Sequence, residues 1–250
     1  MSGKPPDDKR VVWEFVDYLQ KNGHTGLKVD RFPDDENRVS ADVDAIAGTF
    51  AIEHTSVDTI FDQRRNSDWF VKAVGGLEAE LSANMTCRLK ITIPYDGIRK
   101  GQNWSKIRQA FRSFIINETP SLPDGQHVIQ NQLDIPFDFH VIKASNRRHG
   151  LFFSRFAPDD DSLPSRIQEQ FERKAEKLAQ YKRNGKATIL LVESGDIALM
   201  NAQIMLDAIR VAYGGKLPKG IDHIWYVDTS ISPDPSDFEF RDFTQMLQVQ

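Results

Sequence analysis

Two spacings of apolar residues along the chain predict where it forms helices and strands. Apolar residues that recur every three or four positions indicate amphipathic helices, and strict alternation indicates half-buried strands. The predicted N-terminal elements are a helix from Val11 to Asn22-Gly23, strands at 27–32, 38–47 and 49–55, a helix over 62–83, and a strand at 87–95. The order is therefore helix, three strands, helix, strand.

The remaining residues continue this alternation of strands and helices. The predicted elements are a basic helix at 101–116, two strands that pair around a turn at 145–149, a charged helix that ends near 184, and a strand-helix-strand unit over 186–230. Such alternation favours an α/β fold, with a mixed central sheet flanked by helices. Because the loops at 119–126 and 157–164 are short, we expect one domain over 9–250 after a flexible tail at 1–8.

Composition excludes only a few classes of protein and of binding site. The chain has 250 residues and a formal net charge of −4, so a nucleic-acid partner would have to be recognised by local basic patches. The single cysteine, Cys87, excludes an internal disulfide and a multi-cysteine zinc site. No apolar run reaches the length of a membrane span, and the first ten residues are too polar for a signal peptide. We therefore expect a cytoplasmic protein without a membrane partner.

The stretch ADVDAIAGTFAIEHTS (41–56) contains an unusual concentration of acids for a predicted hairpin. A turn at Gly48 would place Asp44 and Glu53 at the same end of the sheet, where two carboxylates repel unless a cation or a proton intervenes. Mg²⁺ prefers such oxygen ligands and, once bound, can activate water and offset charge on a phosphate. The alternative is that Asp42 and Asp44 face solvent while Glu53 pairs with an arginine such as Arg38.

The order of elements and the acids together resemble the PD-(D/E)XK nuclease family, over about residues 9–94. The resemblance implies a restriction-endonuclease-like core, with 95–250 as an extension, and metal-dependent hydrolysis of phosphodiester bonds. It matches Asp44 to the family's Asp and Glu53 to its second acid, which hold Mg²⁺ or Mn²⁺. Asp42 is an alternative for the first position, and Glu14 on the first helix is a further candidate ligand.

The family's lysine, two positions after the second acid, is replaced here by Thr55. Some members carry this lysine on the next helix, which suggests Lys72, Arg64 or Gln63, and others have lost catalysis. His54 could act as a general base if the strand bends, although it alternates with Glu53 and is more simply a packed histidine. We therefore take Asp44, Glu53, His54 and Thr55 as candidate catalytic residues.

Local basic clusters supply candidate contacts to nucleic acid, with DNA favoured over RNA. The candidates are Arg64, Arg65, Arg99, Lys100, Lys106, Arg108, Arg112, Arg147 and Arg148. A solvated helix face is the alternative for 98–112, and ERKAEKLAQYKRNGK (172–186) is interpreted as a solvated helix of mixed charge. A homodimer is compatible with the sequence.

Two other functions remain open. One is a nuclease-like fold without catalysis that binds nucleic acid or a protein. The other is a small-molecule site at the C-terminal strand ends, near Glu193, Asp196 and Asp228.

Overall fold

A computed structural model describes residues 9–36, 42–130, 132, 134–158, 160–195, 199–230 and 234–248. The helices are α1 (Arg10–Lys21), α2 (Pro33–Glu36), α3 (Gln63–Val74), α4 (Leu77–Leu81), α5 (Trp104–Asn117), α6 (Leu163–Arg183), α7 (Ala202–Tyr213) and α8 (Phe243–Gln248). The strands are β1 (Ala45–Ala47), β2 (Phe50–Ser56), β3 (Arg88–Ile93), β4 (Gly125–Ile129), β5 (Phe139–Ala144), β6 (Gly150–Arg155), β7 (Ala187–Ser194), β8 (His223–Asp228) and β9 (Phe240–Asp242). The predicted tail at 1–8 and positions 38–41 of the predicted second strand lie outside the described residues.

The backbone contacts divide the chain into two compact units. The first unit combines residues 1–61 with 161–250, and the second comprises 62–160. The second unit is thus an insertion in the chain of the first, between β2 and α6. The units divide at 61/62 and 160/161, whereas the resemblance implies a boundary between core and extension at 94/95.

The first unit contains a mixed five-stranded sheet with the order β1-β2-β7-β8-β9. Strands β2, β7 and β8 are parallel, and the edge strands β1 and β9 are antiparallel to their neighbours. One face is covered by α1, through a cluster that includes Phe15, Ile52 and Leu191. The other is covered by α6 and α7, through a cluster that includes Phe171 and Leu190. The predicted α/β class and the C-terminal strand-helix-strand unit are therefore confirmed.

The second unit has a four-stranded mixed sheet with the order β4-β5-β3-β6. Strand β5 is antiparallel to β3, and β6 is parallel to β3. The face formed by Leu89, Ile91 and Val141 is buried in one cluster with Phe111 of α5 and Leu77 of α4. The helices of this unit thus cover one face of its sheet.

Several predicted elements differ from the structure. The predicted strand at 27–32 is reduced to an isolated bridge between Arg31 and Ile46, and of the described part of the predicted strand at 38–47 only Ala45–Ala47 forms β1. The predicted helix at 62–83 breaks at Gly75-Gly76, where Gly76 has φ +84° and a side chain at Gly75 would collide with the Val71 carbonyl. Strand β3 belongs to the second sheet, not beside β2, and it separates β5 from β6, which were expected to pair with each other. Period-two alternation identifies a strand but not its neighbour, which explains the last two errors. No described helix is long and apolar enough to cross a membrane.

Candidate active site

The hairpin β1–β2 brings Asp44 and Glu53 together in the first unit. Ala45 pairs with Ile52, so the next position of the antiparallel register sets Asp44 opposite Glu53. The Asp44 carboxylate also accepts a hydrogen bond from the His54 backbone N–H, at 2.6 Å. Glu53 is fully buried, with 0% of its surface exposed. The hairpin therefore holds two carboxylates side by side, as the sequence analysis predicted.

Helix α6 presents a polar row to this hairpin. Gln170, Lys174, Lys177 and Tyr181 follow each other at steps of four, three and four residues, so they share one side of the helix. The neighbouring side carries the buried residues Ile167, Phe171, Ala175 and Leu178, which pack into the core. The apolar stripe therefore fixes the helix on the sheet and aims the polar row at β2.

Two lysines of this row contact one oxygen of Glu53. Lys174 Nζ donates to Glu53 Oε1 and to the His54 carbonyl, the latter at 3.1 Å. Lys177 Nζ donates to the same Oε1 at 3.0 Å and to the Asp42 carbonyl at 2.8 Å. Within the described residues, no hydrogen bond reaches the other oxygen, Oε2, although it is buried. Glu53 is thus anchored through one oxygen, and its second oxygen is left without a donor.

The electrostatics of Glu53 reflect this arrangement. Burial raises the pKa of its carboxyl above the usual value, and the nearby charge of Asp44 raises it further. The hydrogen bond and charge of Lys174, and the hydrogen bond of Lys177, lower the pKa and offset part of that rise. A buried acid next to a second acid is the environment that a cation would relieve.

The donor set fits a hard divalent cation. Such ions take oxygen ligands and often retain several waters. The unpaired Oε2 of Glu53 and the Asp44 carboxylate would supply two of these oxygens. Within the described residues no three His, Cys, Asp or Glu side chains gather. A metal here would therefore be held by two carboxylates, and other oxygens would complete its shell.

Thr55 and Gln170 occupy the neighbouring position on the same face. Thr55, at 5% exposure, accepts a hydrogen bond from the Gln170 amide, which also donates to the Ser56 carbonyl at 3.1 Å. Thr55 therefore serves as an attachment point for α6, and it supplies no positive charge. The positive charge next to Glu53 is supplied by Lys174 and Lys177 of α6.

The other predicted site residues lie elsewhere. The Asp42 carboxylate accepts from the Tyr181 hydroxyl at 2.7 Å and from the Val43 N–H at 2.8 Å, so of the two alternatives Asp44 is the one next to Glu53. Glu14 belongs to α1, which packs on the opposite face of the sheet from Glu53. The His54 ring also points to that opposite face, with Nε2 3.0 Å from Glu193 Oε2. The geometry thus groups Asp44 and Glu53 without Asp42, Glu14 or the His54 ring.

The basic residues predicted on α5 are partly engaged within the second unit. Glu80 of α4 accepts from Arg112 at 2.8 Å and from Arg108 at 3.3 Å. Arg99 pairs with Asp96 at 2.5 Å. The acid that α5 itself lacks is therefore supplied by α4, an arrangement that no local pattern in 98–112 indicates.

The remaining basic candidates also lie in the second unit. Arg64 and Arg65 are in the first turn of α3, and Arg65 pairs with Asp62. The other four, which are exposed, are Lys100, Lys106, Arg147 and Arg148. The suggested substitutes for the lysine, Lys72, Arg64 and Gln63, lie on α3 of the second unit, whereas α6 is the helix that follows β2 within the first.

The C-terminal strand ends form a separate polar region of the first unit. Glu193 accepts from the Thr229 hydroxyl at 2.6 Å, and Asp228 accepts from the Ser230 backbone N–H at 2.9 Å. Asp228 borders a cavity of about 330 Å³ with Asn201 and Arg241. Asp196 lies outside the described residues.

Lys174 and Lys177 are the residues that sequence reasoning missed. Their segment was interpreted as a solvated helix because it mixes both charge signs. The signal that could have found them is the apolar stripe Ile167, Phe171 and Leu178, which shows that the flanking lysines border a buried face. No family model, curated protein or solved structure matches this chain.

Proposed function

We propose that the first unit is a metal-dependent nuclease that hydrolyses phosphodiester bonds, and that it is similar to the PD-(D/E)XK family. The observation that carries the proposal is the environment of Glu53. This fully buried acid is held by Lys174 through Oε1 and lies opposite Asp44, and no donor from the described part of the chain reaches its Oε2. A buried carboxylate with a purely structural role would be expected to accept hydrogen bonds at both of its oxygens.

The order of elements in the first unit supports the same proposal once the inserted unit is set aside. The order is α1, the bridge at Arg31, the four-residue helix α2, β1, β2, α6 and β7. Apart from α2, this is helix, remnant strand, two strands, helix and strand, the order that the resemblance implies. Strand β7 lies parallel to β2, with α6 as the connection between them. The lysine on α6 corresponds to family members that carry this residue on the helix after the second acid.

Each residue of the site has a role in this proposal. Asp44 and Glu53 Oε2 would hold the metal, which would supply Lewis-acid chemistry to a phosphate oxygen and a bound water. Lys177 joins Glu53 to the Asp42 backbone at the open end of the hairpin. Lys174 fixes Glu53 Oε1, and its ammonium group lies where negative charge on a reacting phosphate would be stabilised.

The first test is calorimetric titration of the whole protein with Mg²⁺ and with Mn²⁺. Wild type is expected to bind with micromolar to millimolar affinity, and Asp44→Asn or Glu53→Gln is expected to abolish binding. Asp222→Asn is the control, since Asp222 pairs with Lys182 away from the hairpin. Absence of metal binding in wild type, or binding that survives both site substitutions, would refute the proposal.

The second test measures cleavage of single-stranded and duplex DNA and RNA. Lys174→Met is expected to lower the rate by about 100-fold, the effect of losing one charge-stabilising donor, and Lys174→Arg to restore part of it. Lys182→Met, on the same helix, should cleave like wild type. DNA is expected to be the better substrate, and a cytoplasmic location is part of the proposal. Equal rates for Lys174→Met and Lys182→Met would remove Lys174 from the reaction.

A further inference from the structure

The sheet of the second unit has a second face that its helices leave exposed. Leu89, Ile91 and Val141 of the covered face are 0% exposed, whereas Ile142 and Phe152 of the opposite face are 42% and 39% exposed. An alternating pattern of buried and exposed residues along β3 agrees with this difference. Exposed apolar side chains gathered on one face indicate a binding surface more often than scattered ones do.

We name this surface the open face and define it by six residues on three adjacent strands. They are Arg88, Lys90, His140, Ile142, Phe152 and Phe156. The register sets Lys90 between Ile142 on β5 and Phe152 on β6. Basic and apolar groups therefore stand side by side in the middle of the face.

Two aromatic rings lie along one strand of the open face. Phe156, 42% exposed, follows β6 and extends its ladder through a 3.0 Å hydrogen bond to the Ile93 carbonyl. Four residues at the rise of a strand separate it from Phe152 by about 13 Å. The Phe156 ring also packs edge-on against His140, with 4.8 Å between centroids. The two aromatic residues thus lie on the same face of the sheet, four positions apart along one strand and its extension.

The position of the Phe152 ring depends on two neighbours. The Arg88 guanidinium lies over it, 4.8 Å from the centroid. Gly150 lies beneath its edge, with φ +148°, and a Cβ there would come within 3.3 Å of the ring. A glycine at this position leaves room for the ring to lie along the sheet with a cation against it.

The charge distribution favours a polyanionic partner. Residues 62–160 contain 14 Lys and Arg against 11 Asp and Glu, a net charge of +3, and the rest of the chain contains 18 against 25, a net charge of −7. Arg147 and Arg148 are exposed in the turn between β5 and β6, at the end of the sheet where Arg88 begins β3. A positive potential is therefore concentrated in the unit that carries the open face.

From these observations we infer that the open face binds single-stranded nucleic acid. Bases stack on Phe152 and Phe156, and Arg88, Lys90 and the arginines of the 145–149 turn contact phosphates. A single strand is required because the bases of a duplex are already stacked on each other and cannot reach the rings. The cations next to the rings favour this occupant over an apolar protein surface, which would have to bury them unpaired.

This inference goes beyond the proposed reaction, since binding at the open face involves neither Asp44 nor Glu53. The binding inference and the proposed nuclease reaction can therefore be refuted independently of each other. Binding is measured in EDTA on the intact protein, and Glu53→Gln is expected to bind oligonucleotides as wild type does. A metal titration that fails would leave this binding unaffected, and loss of this binding would leave the metal site unaffected.

The test is fluorescence anisotropy with labelled 12-residue oligomers of deoxythymidine and of uridine, with a duplex of the same length for comparison. Phe152→Ala and Phe156→Ala are each expected to weaken binding at least fivefold, the lower end of about 1–3 kcal/mol per stacked base. Phe152→Trp should retain binding and Phe152→Leu should not, because stacking needs a ring. Lys90→Gln should reduce the slope of log K against log salt by about 0.7.

The controls are exposed residues of the first unit. Phe61→Ala, at a phenylalanine that is 63% exposed, and Arg241→Gln should bind like wild type. Thermal melting establishes that each variant is folded, and since the substituted side chains are exposed, little change is expected. Three results would each overturn the inference: no binding of single strands by wild type at low salt, preference for the duplex, or ring variants that bind like wild type.

Discussion

The two sheets of this protein are covered in opposite ways, and each has its chemistry in a correspondingly different place. In the first unit helices cover both faces, and the polar cluster around Glu53 is buried between β2 and α6. In the second unit helices cover one face, and the other exposes Phe152 among basic side chains. Burying a carboxylate without hydrogen-bond or ion-pair partners lowers stability, whereas exposing a phenylalanine ring lowers it little. Buried charge therefore marks the candidate site in one sheet, and exposed apolar surface marks it in the other.

The largest effect is expected when both lysines that contact the buried Glu53 are replaced. Lys174→Met with Lys177→Met should lower the free energy of unfolding by about 3–5 kcal/mol, because Glu53 stays buried without a cation. Arg88→Met with Lys90→Met on the open face should change it by less than about 1 kcal/mol. Denaturant unfolding of both double variants measures the contrast.

A third substitution separates lost pairing from damaged packing. Adding Glu53→Met to the double lysine variant should return most of the lost stability, since a buried ion cluster can be replaced by apolar side chains of similar volume. If the triple variant is as unstable as the double one, the lysines stabilise the fold through packing, not through Glu53.

The next effect concerns the apolar residues of the two sheets. Leu191→Ala, at a residue that is 0% exposed in the first sheet, should cost about 2–5 kcal/mol through lost burial and a cavity. Ile142→Ala, at a residue that is 42% exposed on the open face, should cost less than about 1 kcal/mol. Equal losses measured by denaturant unfolding would mean that the open face is covered in solution.

A smaller effect is expected at the outer edge of the second sheet. Ser82 accepts a hydrogen bond from the Leu151 N–H at 3.1 Å and so protects one donor of the edge strand β6. Ser82→Ala should cost about 1 kcal/mol and speed amide hydrogen exchange at Leu151. Ser121→Ala, at an exposed hydroxyl that donates to the Glu118 carbonyl, is the control. Unchanged exchange at Leu151 would show that the edge is protected by something else.

The sequence was sufficient for the α/β class, most helices and strands, and the pairing of Asp44 with Glu53. Those features depend on local periodicity and on a hairpin with one turn, so all of the relevant residues are close together in the chain. The helix that completes the site was not found in this way. Lys174 is 121 residues from Glu53, and the inserted unit makes α3, not α6, the next helix along the chain after β2.

The second sheet was missed for a related reason. Strand β3 has the alternation of any half-buried strand, and nothing within it specifies β5 and β6 as its neighbours. The open face needs that neighbour relation, since Lys90 and Phe152 are 62 residues apart in the chain. Which strands become neighbours in a sheet is decided by tertiary packing, and a single sequence does not reveal that packing.

The smallest effect tests the basic helix α5, where the sequence predicted phosphate contacts. The hydrogen bond from Arg112 holds the pKa of Glu80 below its usual range against the opposing effect of burial, and a weaker contribution from the Arg108 hydrogen bond acts in the same direction as Arg112. Because the folded pKa is lowered, this pairing stabilises the fold above the ordinary pKa of a glutamate, about 4.3, and is lost as pH falls through the folded value.

Arg112→Met should therefore raise the pKa of Glu80. The free energy of unfolding of this variant should then fall less steeply than that of wild type as the pH drops below about 4. Carboxyl NMR titration gives the pKa, and unfolding at several pH values gives the stability. Arg99→Met is the control, because Arg99 pairs with Asp96 and not with Glu80, and both side chains of that pair are more than 60% exposed. If the pKa of Glu80 does not move in Arg112→Met, the ion pair does not persist in solution. Arg112 would then be available to contact a phosphate, as the sequence predicts for α5.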